Sequence, residues 1–294
     1  MLKRDFWSTV VFKENLDFNV LNDQAQNISV RFGSRQIRRS KIHIHTIADP
    51  FLFKKEDRLY LFAEIQSVGN KGYINSWSTI DGNSWKDDGP IFVKDFHTSF
   101  PFIFFENGED FFVPEQVESQ KTCLYKFQNF PNNIQECSTI SYEPIEDPII
   151  IKKQSTYFLI GTYQNKIRLL YSDSLNKNNW AHHPMNNMIE SKIIRNAGPP
   201  MRMDQEYLRF TQDNRKVYGG DIFINKIICL NKDNFEEVVL KKMLKPKSTM
   251  DFDKFGRHHL STCNFKGKKF IAIDGRSKDL LINKFINFCY KVLD

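Results

Sequence analysis

No window of this sequence approaches the roughly 18 consecutive apolar residues that span a bilayer. The N-terminus, from Met1 to Trp7, also lacks the apolar stretch of a secretory signal. The expectation is a cytoplasmic protein. Cysteine is scarce. Cys123, Cys137, Cys229, Cys263 and Cys289 are odd in number and widely scattered, with no pair at metal-ligand or redox spacing. They are expected to be reduced and buried. His43 and His45 read as strand residues rather than ligands, so neither a metal nor a cofactor is expected. The chain offers no nucleophilic Ser or Cys arrangement and no phosphate-cradling glycine loop. Lys and Arg exceed Asp and Glu by 42 to 35, a formal net charge of +7. These cations are dispersed and accompany no nucleic-acid motif, so they favour anionic partners other than nucleic acid.

What the sequence has is a line written five times. Ala48-Asp49-Pro50-Phe51-Leu52-Phe53 leads through a polar turn into Leu59-Tyr60-Leu61-Phe62-Ala63-Glu64. The pattern returns at Phe100-Pro101-Phe102 before Phe111 to Glu115, and at Glu146-Asp147-Pro148 before Thr156 to Ile160. A fourth copy is Ala197-Gly198-Pro199 before Tyr207 to Phe210, and a looser fifth is His258-His259-Leu260 before Lys269 to Ile273. Pro50, Pro101, Pro148 and Pro199 are 51, 47 and 51 residues apart. Repeats of about 50 residues, each holding several short strands, predict a radial β-propeller. The fold class is therefore all-β, a five-bladed propeller forming one domain over residues 1–294. Its blades begin near residues 48, 99, 146, 197 and 257.

Each repeat should hold four strands, the first opened by its X-Pro step, because proline suits the first residue of a strand. Lys55 to Arg58, Glu106 to Glu109 and Lys266 to Lys268 read as the turns that follow. Residues 1–45 contain one clear strand, Trp7 to Lys13, expected to close the ring against the last blade and leave no edge unpaired. Near the C-terminus, Leu281, Phe285, Phe288, Cys289 and Val292 recur at helical spacing and predict a short helix. It would dock on the propeller or, with Lys284 and Lys291, lie against the inner face of a membrane.

Several motifs resemble one family in order and spacing. Asp5-Phe6-Trp7, Ala48 to Phe51, and Phe100-Pro101-Phe102 with Pro114-Glu115 come first. Ser172-Asp173-Ser174-Leu175 with Asn179-Trp180 and His183-Pro184 follows, then Arg195-Asn196-Ala197-Gly198, where Asn196 replaces the usual proline. Tyr207-Leu208-Arg209, Gln212-Asp213 and Tyr218-Gly219 complete the series. Together they resemble the N-terminal propeller of glucosamine inositolphosphorylceramide transferases, over nearly the whole chain. That resemblance implies a likeness in fold to five-bladed glycoside hydrolases of the arabinanase and invertase type. It also implies that in the plant proteins a separate transferase domain follows the propeller, so that activity does not carry over with it.

Asp49 stands where those hydrolases place the acid of the first inner strand, and Asp147 resembles the third-blade acid that tunes the others. Glycoside cleavage also needs a protonated acid, and the fourth repeat offers Arg195, Arg202, Arg209 and Gln212 instead, with Asp213 the nearest carboxylate. Glu115 ends an apolar strand, a setting that raises a carboxyl pKa toward general-acid range, and Glu64 is its counterpart in repeat one. The catalytic candidates are Asp49, Glu115 and Asp147. Glu64, Arg195, Arg202, Arg209, Gln212, Asp213, His258 and His259 are candidates for substrate binding. An Asp before Pro can equally serve by bonding backbone amides where a strand begins. Arg257 and Arg276 join the repeat-four arginines as possible phosphate or carboxylate ligands if they face the funnel. His258 and His259 are successive in a strand, so at most one faces the centre.

Three functions fit these residues. The first is a glycosyltransferase of cell-surface polysaccharide or glycolipid synthesis, with a nucleotide-sugar donor and an acceptor that is membrane-bound or lipid-linked. The second is a glycoside hydrolase or phosphorylase. The third is a non-catalytic glycan-binding propeller. Fold alone does not separate them, and the transferase is the expectation carried forward.

Overall fold

The computed structural model describes residues 3–33, 44–67, 69–189, 195–243 and 251–280. Before the first repeat come β1 (Lys3–Asn15) and β2 (Ile28–Phe32), which pair antiparallel. Repeat one supplies β3 (Ile44–Lys55), β4 (Arg58–Ser67), β5 (Tyr73–Thr79) and β6 (Lys86–Phe92). Repeat two supplies β7 (Ser99–Glu106), β8 (Glu109–Glu115), β9 (Thr122–Asn129) and β10 (Asn132–Ser141). Repeat three gives β11 (Glu146–Lys153), β12 (Thr156–Tyr163), β13 (Lys166–Ser172) and β14 (Ala181–His182). Repeat four gives β15 (Met201–Met203), β16 (Glu206–Gln212), β17 (Ile222–Leu230) and β18 (Phe235–Lys242), and the last repeat β19 (Leu260–Phe265) and β20 (Lys268–Leu280).

Repeats one to four each form an antiparallel meander of four strands. The last unit has only two strands of its own, and β1 completes it, pairing with β20 from Lys3↔Leu280 to Asn15↔Lys268. Its order is β19-β20-β1-β2, and the single parallel pairing Trp7↔Thr46 joins it to the first unit. The first strands pack side by side, β3 against β7 and β19, and β7 against β11, so they form the inner wall of a propeller. The all-β propeller expected from the repeats is the observed fold.

The local reasons recur in every unit. Each first hairpin turns on two residues, as the pairings Lys55↔Arg58, Glu106↔Glu109, Lys153↔Thr156, Met203↔Glu206 and Phe265↔Lys268 show. The first loop residue in each is left-handed: Glu56, Asn107, Gln154, Asp204 and Lys266. Such turns match the right-handed twist of the flanking strands. The prolines behave differently from the expectation. Pro50, Pro101 and Pro148 are not first residues of their strands, but sit in register shifts between Ala48 and Phe51, Ser99 and Phe102, and Glu146 and Ile149. A bulge leaves one residue out of the ladder, so no N–H is missed there.

The core lies between successive sheets, where Phe51, Phe62, Phe100, Phe112 and Phe158 are almost wholly buried. Cys123 shares it, whereas Cys137 is exposed and Cys229 and Cys263 are half-buried. The expectation of buried cysteines therefore holds for one of these four. Cys137 lies on the outermost strand of its sheet, whereas Cys263 packs partly against a core cluster. Cys289 and residues 281–294 of the expected C-terminal helix lie outside the described residues, as does His43. No helix among the described residues is long and apolar enough to cross a membrane.

Candidate functional site

At the X-Pro step of the first four repeats the backbone makes an unfavourable excursion. The residue before each proline is left-handed: Asp49 (φ 52°), Phe100 (φ 44°), Asp147 (φ 47°) and Gly198 (φ 133°). Sterics usually push a pre-proline residue into the extended region, and such outliers cost on the order of 1–3 kcal/mol each. A carboxylate from the preceding blade fastens each of the first three N–H groups. Asp274 Oδ2 accepts from Asp49 at 3.1 Å, Asp49 Oδ2 from Phe100 at 3.2 Å, and Glu115 Oε2 from Asp147 at 2.8 Å. These acids bind blade to blade around the axis. Gly198 has another reason to be glycine, since a Cβ there would stand 2.0 Å from the Leu260 carbonyl oxygen.

Within this ring of straps opens a cavity of about 340 Å³, a size suited to a small ligand. Asp49, Glu64, Glu115, Arg195, His97 and His258 supply its charged and titratable lining, together with His45 from β3. Trp7 and Tyr218 supply its aromatic lining. His258 stacks on Trp7 with ring centroids 4.0 Å apart, and Tyr218 meets His258 edge-on at 5.3 Å. Tyr218 is 48% exposed, leaving much of its ring to solvent at the mouth.

The acids of the cavity are driven in opposite directions. Burial raises the Glu64 carboxyl well above the usual glutamate range, and the charges of Asp49, Glu115, Asp274 and Asp147 push it further. Burial also opposes ionisation of Asp49, but the imidazoles of His259 and His258 and the Phe100 N–H overcome it and bring its pKa down to about 2. The two Nδ1 atoms lie 3.6 and 3.7 Å from Asp49 Oδ1. Burial disfavours the His258 cation, yet Asp274, 2.6 Å from its Nδ1, and then Asp49 raise its pKa. One wall of the pocket thus favours the protonated carboxyl and the other the carboxylate.

The catalytic candidates do not occupy equivalent places. Asp49 and Glu115 line the cavity, and Asp147, 2% exposed, lies beneath it. Asp147 takes two bonds from Arg195, Nε to Oδ2 at 2.6 Å and Nη2 to Oδ1 at 3.1 Å, and a third from Gln212 at 3.1 Å. Burial pushes its pKa up, and the guanidinium opposes that push. Arg195 Nη2 also reaches Glu115 Oε2 at 3.2 Å, so Glu115 holds an amide and a cation on one oxygen. The carboxyl that burial raises toward a proton donor is Glu64.

Most of the proposed arginine cluster is elsewhere. Arg195 lines the cavity. Arg209 is fully buried, its Nε 2.7 Å from Glu237 Oε2, its Nη2 on Oε1 of the same residue and its Nη1 2.9 Å from Asn196. Strand alternation turns it between the sheets rather than to the axis. Arg202 is exposed on the β15–β16 hairpin, bonding the Asp204 carbonyl. Arg257 is buried on Asp221 at 2.8 Å, and Arg276 donates to the Phe255 carbonyl. Asp213 is held by Arg215 and Lys242, away from the lining. Gln212 is buried, supporting Asp147 and the Asn196 carbonyl. His259 is fully buried against Phe51 and Phe100, so of the two adjacent histidines only His258 reaches the cavity.

Sequence reasoning missed Trp7, His97 and Tyr218 as lining residues. In the sequence Trp7 reads as part of a closing strand and of the Asp5-Phe6-Trp7 motif, and Tyr218 as part of a motif. His97, in the connection between β6 and β7, gave no signal. Asn196 now has a reason to replace proline. Its amide donates to the Asp147 and Ile160 carbonyls at 2.6 and 2.9 Å, bonds that a proline side chain lacks. Asp49, His258 and Asp274 place ligand atoms within 4.8 Å of one another, the arrangement a metal would use. Asp274 nevertheless accepts the N–H groups of Asp49, His258 and His259, which accounts for its position without an ion.

The sheets and the acidic axial cavity define a β-propeller of the kind found in glycoside hydrolases. Similar solved structures include a β-xylosidase, RS223 (TM-score 0.56, 11% identity, 79% of this chain and 94% of that one). A glycosyl hydrolase from Bacteroides ovatus matches with TM-score 0.58 at 10% identity, over 91% and 93% of the two chains. At such identity the likeness is one of fold. The chain belongs to the family described as glucosamine inositolphosphorylceramide transferase 1, N-terminal, whose match covers residues 29–276. It is 31% identical over 245 residues to glucosamine inositolphosphorylceramide transferase 1 of Arabidopsis thaliana, across 78% of this chain and 32% of that protein. The Oryza sativa subsp. indica protein of the same name is 27% identical over 205 residues, across 65% of this chain and 27% of its own length. The chain thus spans about a third or less of these curated relatives. Its membership supports a carbohydrate-active protein.

Proposed function

We propose that the axial cavity binds one glycosyl unit of a glycolipid or polysaccharide precursor and transfers it to an acceptor hydroxyl. Glu64 gives its proton to the departing oxygen, and Asp49 takes the proton of the incoming hydroxyl. The observation that carries this reading is the pair of carboxyls lining one cavity with pKa values driven apart, the arrangement that assigns acid and base. The part-exposed ring of Tyr218 beside Trp7 offers an apolar face for the C–H side of a sugar. Kinship with proteins named as transferases favours an acceptor hydroxyl over water.

A nucleotide-sugar donor is the finer form of the proposal, and Arg195 is where its phosphates would be held. Arg195 is already committed to Asp147 and Glu115, so a diphosphate competes with two carboxylates. A glycoside donor, which carries no phosphate, meets no such competition. A hydrolase remains as a second reading, because the same acid and base serve water and because the fold is that of glycoside hydrolases. Cytoplasmic location and contact with a membrane-bound acceptor belong to the same proposal.

The test is a thermal-shift screen of nucleotide sugars and aryl glycosides, followed by product analysis with and without an added oligosaccharide acceptor. A ligand at 100 times its dissociation constant stabilises by about 2.7 kcal/mol. Transfer that falls 100-fold or more in Glu64→Gln supports the assignment, in line with the usual worth of a general acid. Release of free sugar alone selects the hydrolase, and binding without turnover selects a glycan-binding propeller.

A further inference from the structure

His97 lies in the connection between β6 and β7, and four contacts fix it. Its backbone N–H donates to Glu118 Oε2 at 3.2 Å, and the Lys71 ammonium holds the same oxygen at 2.7 Å. Lys71 also donates to the Asp95 carbonyl at 2.6 Å, two residues before the histidine. The Thr98 N–H closes the loop on the Gly72 carbonyl at 3.0 Å. This clasp joins the start of β5 to the second blade and turns the imidazole toward Glu64, with Nε2 3.4 Å from Oε1.

The tautomer follows from the other nitrogen. The Gly72 N–H donates to His97 Nδ1 at 2.9 Å, so Nδ1 is an acceptor and the ring proton is on Nε2, facing Glu64. Gly72 is glycine for want of space. It is not left-handed, and a Cβ would stand 2.6 Å from His97 Cε1 and 2.7 Å from Glu64 Oε1. Backbone, imidazole and carboxyl converge where only hydrogen fits.

We propose that His97 is the positioning residue of Glu64: its Nε2 stands 3.4 Å from Oε1, a contact that closes to a hydrogen bond in the liganded site and leaves Oε2 as the oxygen that carries the transferable proton. Hydrogen bonds in an unliganded site are often long and tighten when substrate arrives. His97 brings a ring nitrogen within 3.4 Å of that carboxyl, whereas Asp49, Glu115, Asp274 and Asp147 all repel its ionised form. The inference rests on Glu64 as proton donor, but it can be tested without a substrate.

Glutamate labelled with ¹³C at the side-chain carboxyl gives one NMR titration per residue, and the signal missing in Glu64→Gln identifies Glu64. In His97→Leu the Glu64 midpoint should rise by on the order of half a pH unit or more, because a donor to the ionised form is lost. His97→Gln, which restores an amide donor at the same reach, should return it toward wild type. Gly72→Ala crowds both the ring and the Glu64 carboxyl, driving the two apart, and should move the midpoint in the same direction as His97→Leu. It serves as the test if His97→Leu does not fold. An unchanged midpoint in these variants, or the same rise in His97→Gln as in His97→Leu, overturns the positioning role. A shifted midpoint in a protein that transfers no sugar upholds the positioning and overturns the catalytic reading instead.

Discussion

Asp49 Oδ2 accepts the backbone N–H of Phe100 at 3.2 Å, a bond that crosses from one blade to the next over 51 residues. Phe100 is left-handed before a proline and fully buried, and this bond is part of what holds it there. The same carboxylate lines the cavity, so a residue that fastens two blades also faces the ligand. Asp49 therefore has a structural role beside the catalytic one proposed for it, and a substitution there moves both. Their pH windows separate them.

Asp49 is depressed from 3.8 to about 2 in the fold. Its contribution to stability, about 2 kcal/mol, is present above pH 4 and is lost as pH falls toward 2. Asp49→Asn should be less stable at pH 6, with a flatter dependence between pH 4 and pH 2. Urea unfolding at pH 6 and pH 3 measures both.

Glu64 has the opposite sign. Its folded pKa is raised, so its stabilisation is complete below the ordinary value of 4.5 and is lost as pH rises toward the folded value. Glu64→Gln removes that loss. The variant should match or exceed wild type in stability at pH 8 while losing transfer 100-fold or more. A variant equally unstable at pH 5 and pH 8 would contradict the assignment.

Arg195 and Arg209 should fail in different assays. Arg209→Ala leaves the half-buried Glu237 without its cation and Asn196 without a donor, and should cost about 1–3 kcal/mol of stability. Sugar affinity, measured on the remaining folded protein at low temperature, should be unchanged. Arg195→Ala uncovers Asp147 and Glu115 at the cavity itself and should lower both stability and affinity. Calorimetric binding together with urea unfolding separates the two outcomes.

Gly198→Ala combines a φ of 133° with a Cβ 2.0 Å from the Leu260 oxygen. Neither can relax without moving β19. The variant should lose more than the usual ~1 kcal/mol of a point substitution, read as a fall in melting temperature.

The propeller was legible because its causes are local and repeated. An X-Pro step, a two-residue turn and an apolar strand recur at a steady period, and pattern alone reports such things. The pocket was legible only in part. Asp49, Glu64, Glu115, Arg195 and His258 were named from their places in the repeat, and all five line it. Arg202, Arg209, Asp213 and His259 were named on the same grounds and do not. Their side chains run toward a hairpin tip, a half-buried acid, a surface ion pair or the core, and repeat position does not encode that choice.

The sequence by itself determined the all-β architecture and the turns of each blade, because hydrophobic period and turn chemistry act over a few residues. Only the tertiary structure decided which acid holds the proton. That choice depends on burial and on the charges of Asp49, Glu115, Asp274 and Asp147, brought around Glu64 from separate blades. It also depends on His97, which a clasp between two blades delivers to that carboxyl. Electrostatic energy follows distance in space, and closure of the ring sets those distances.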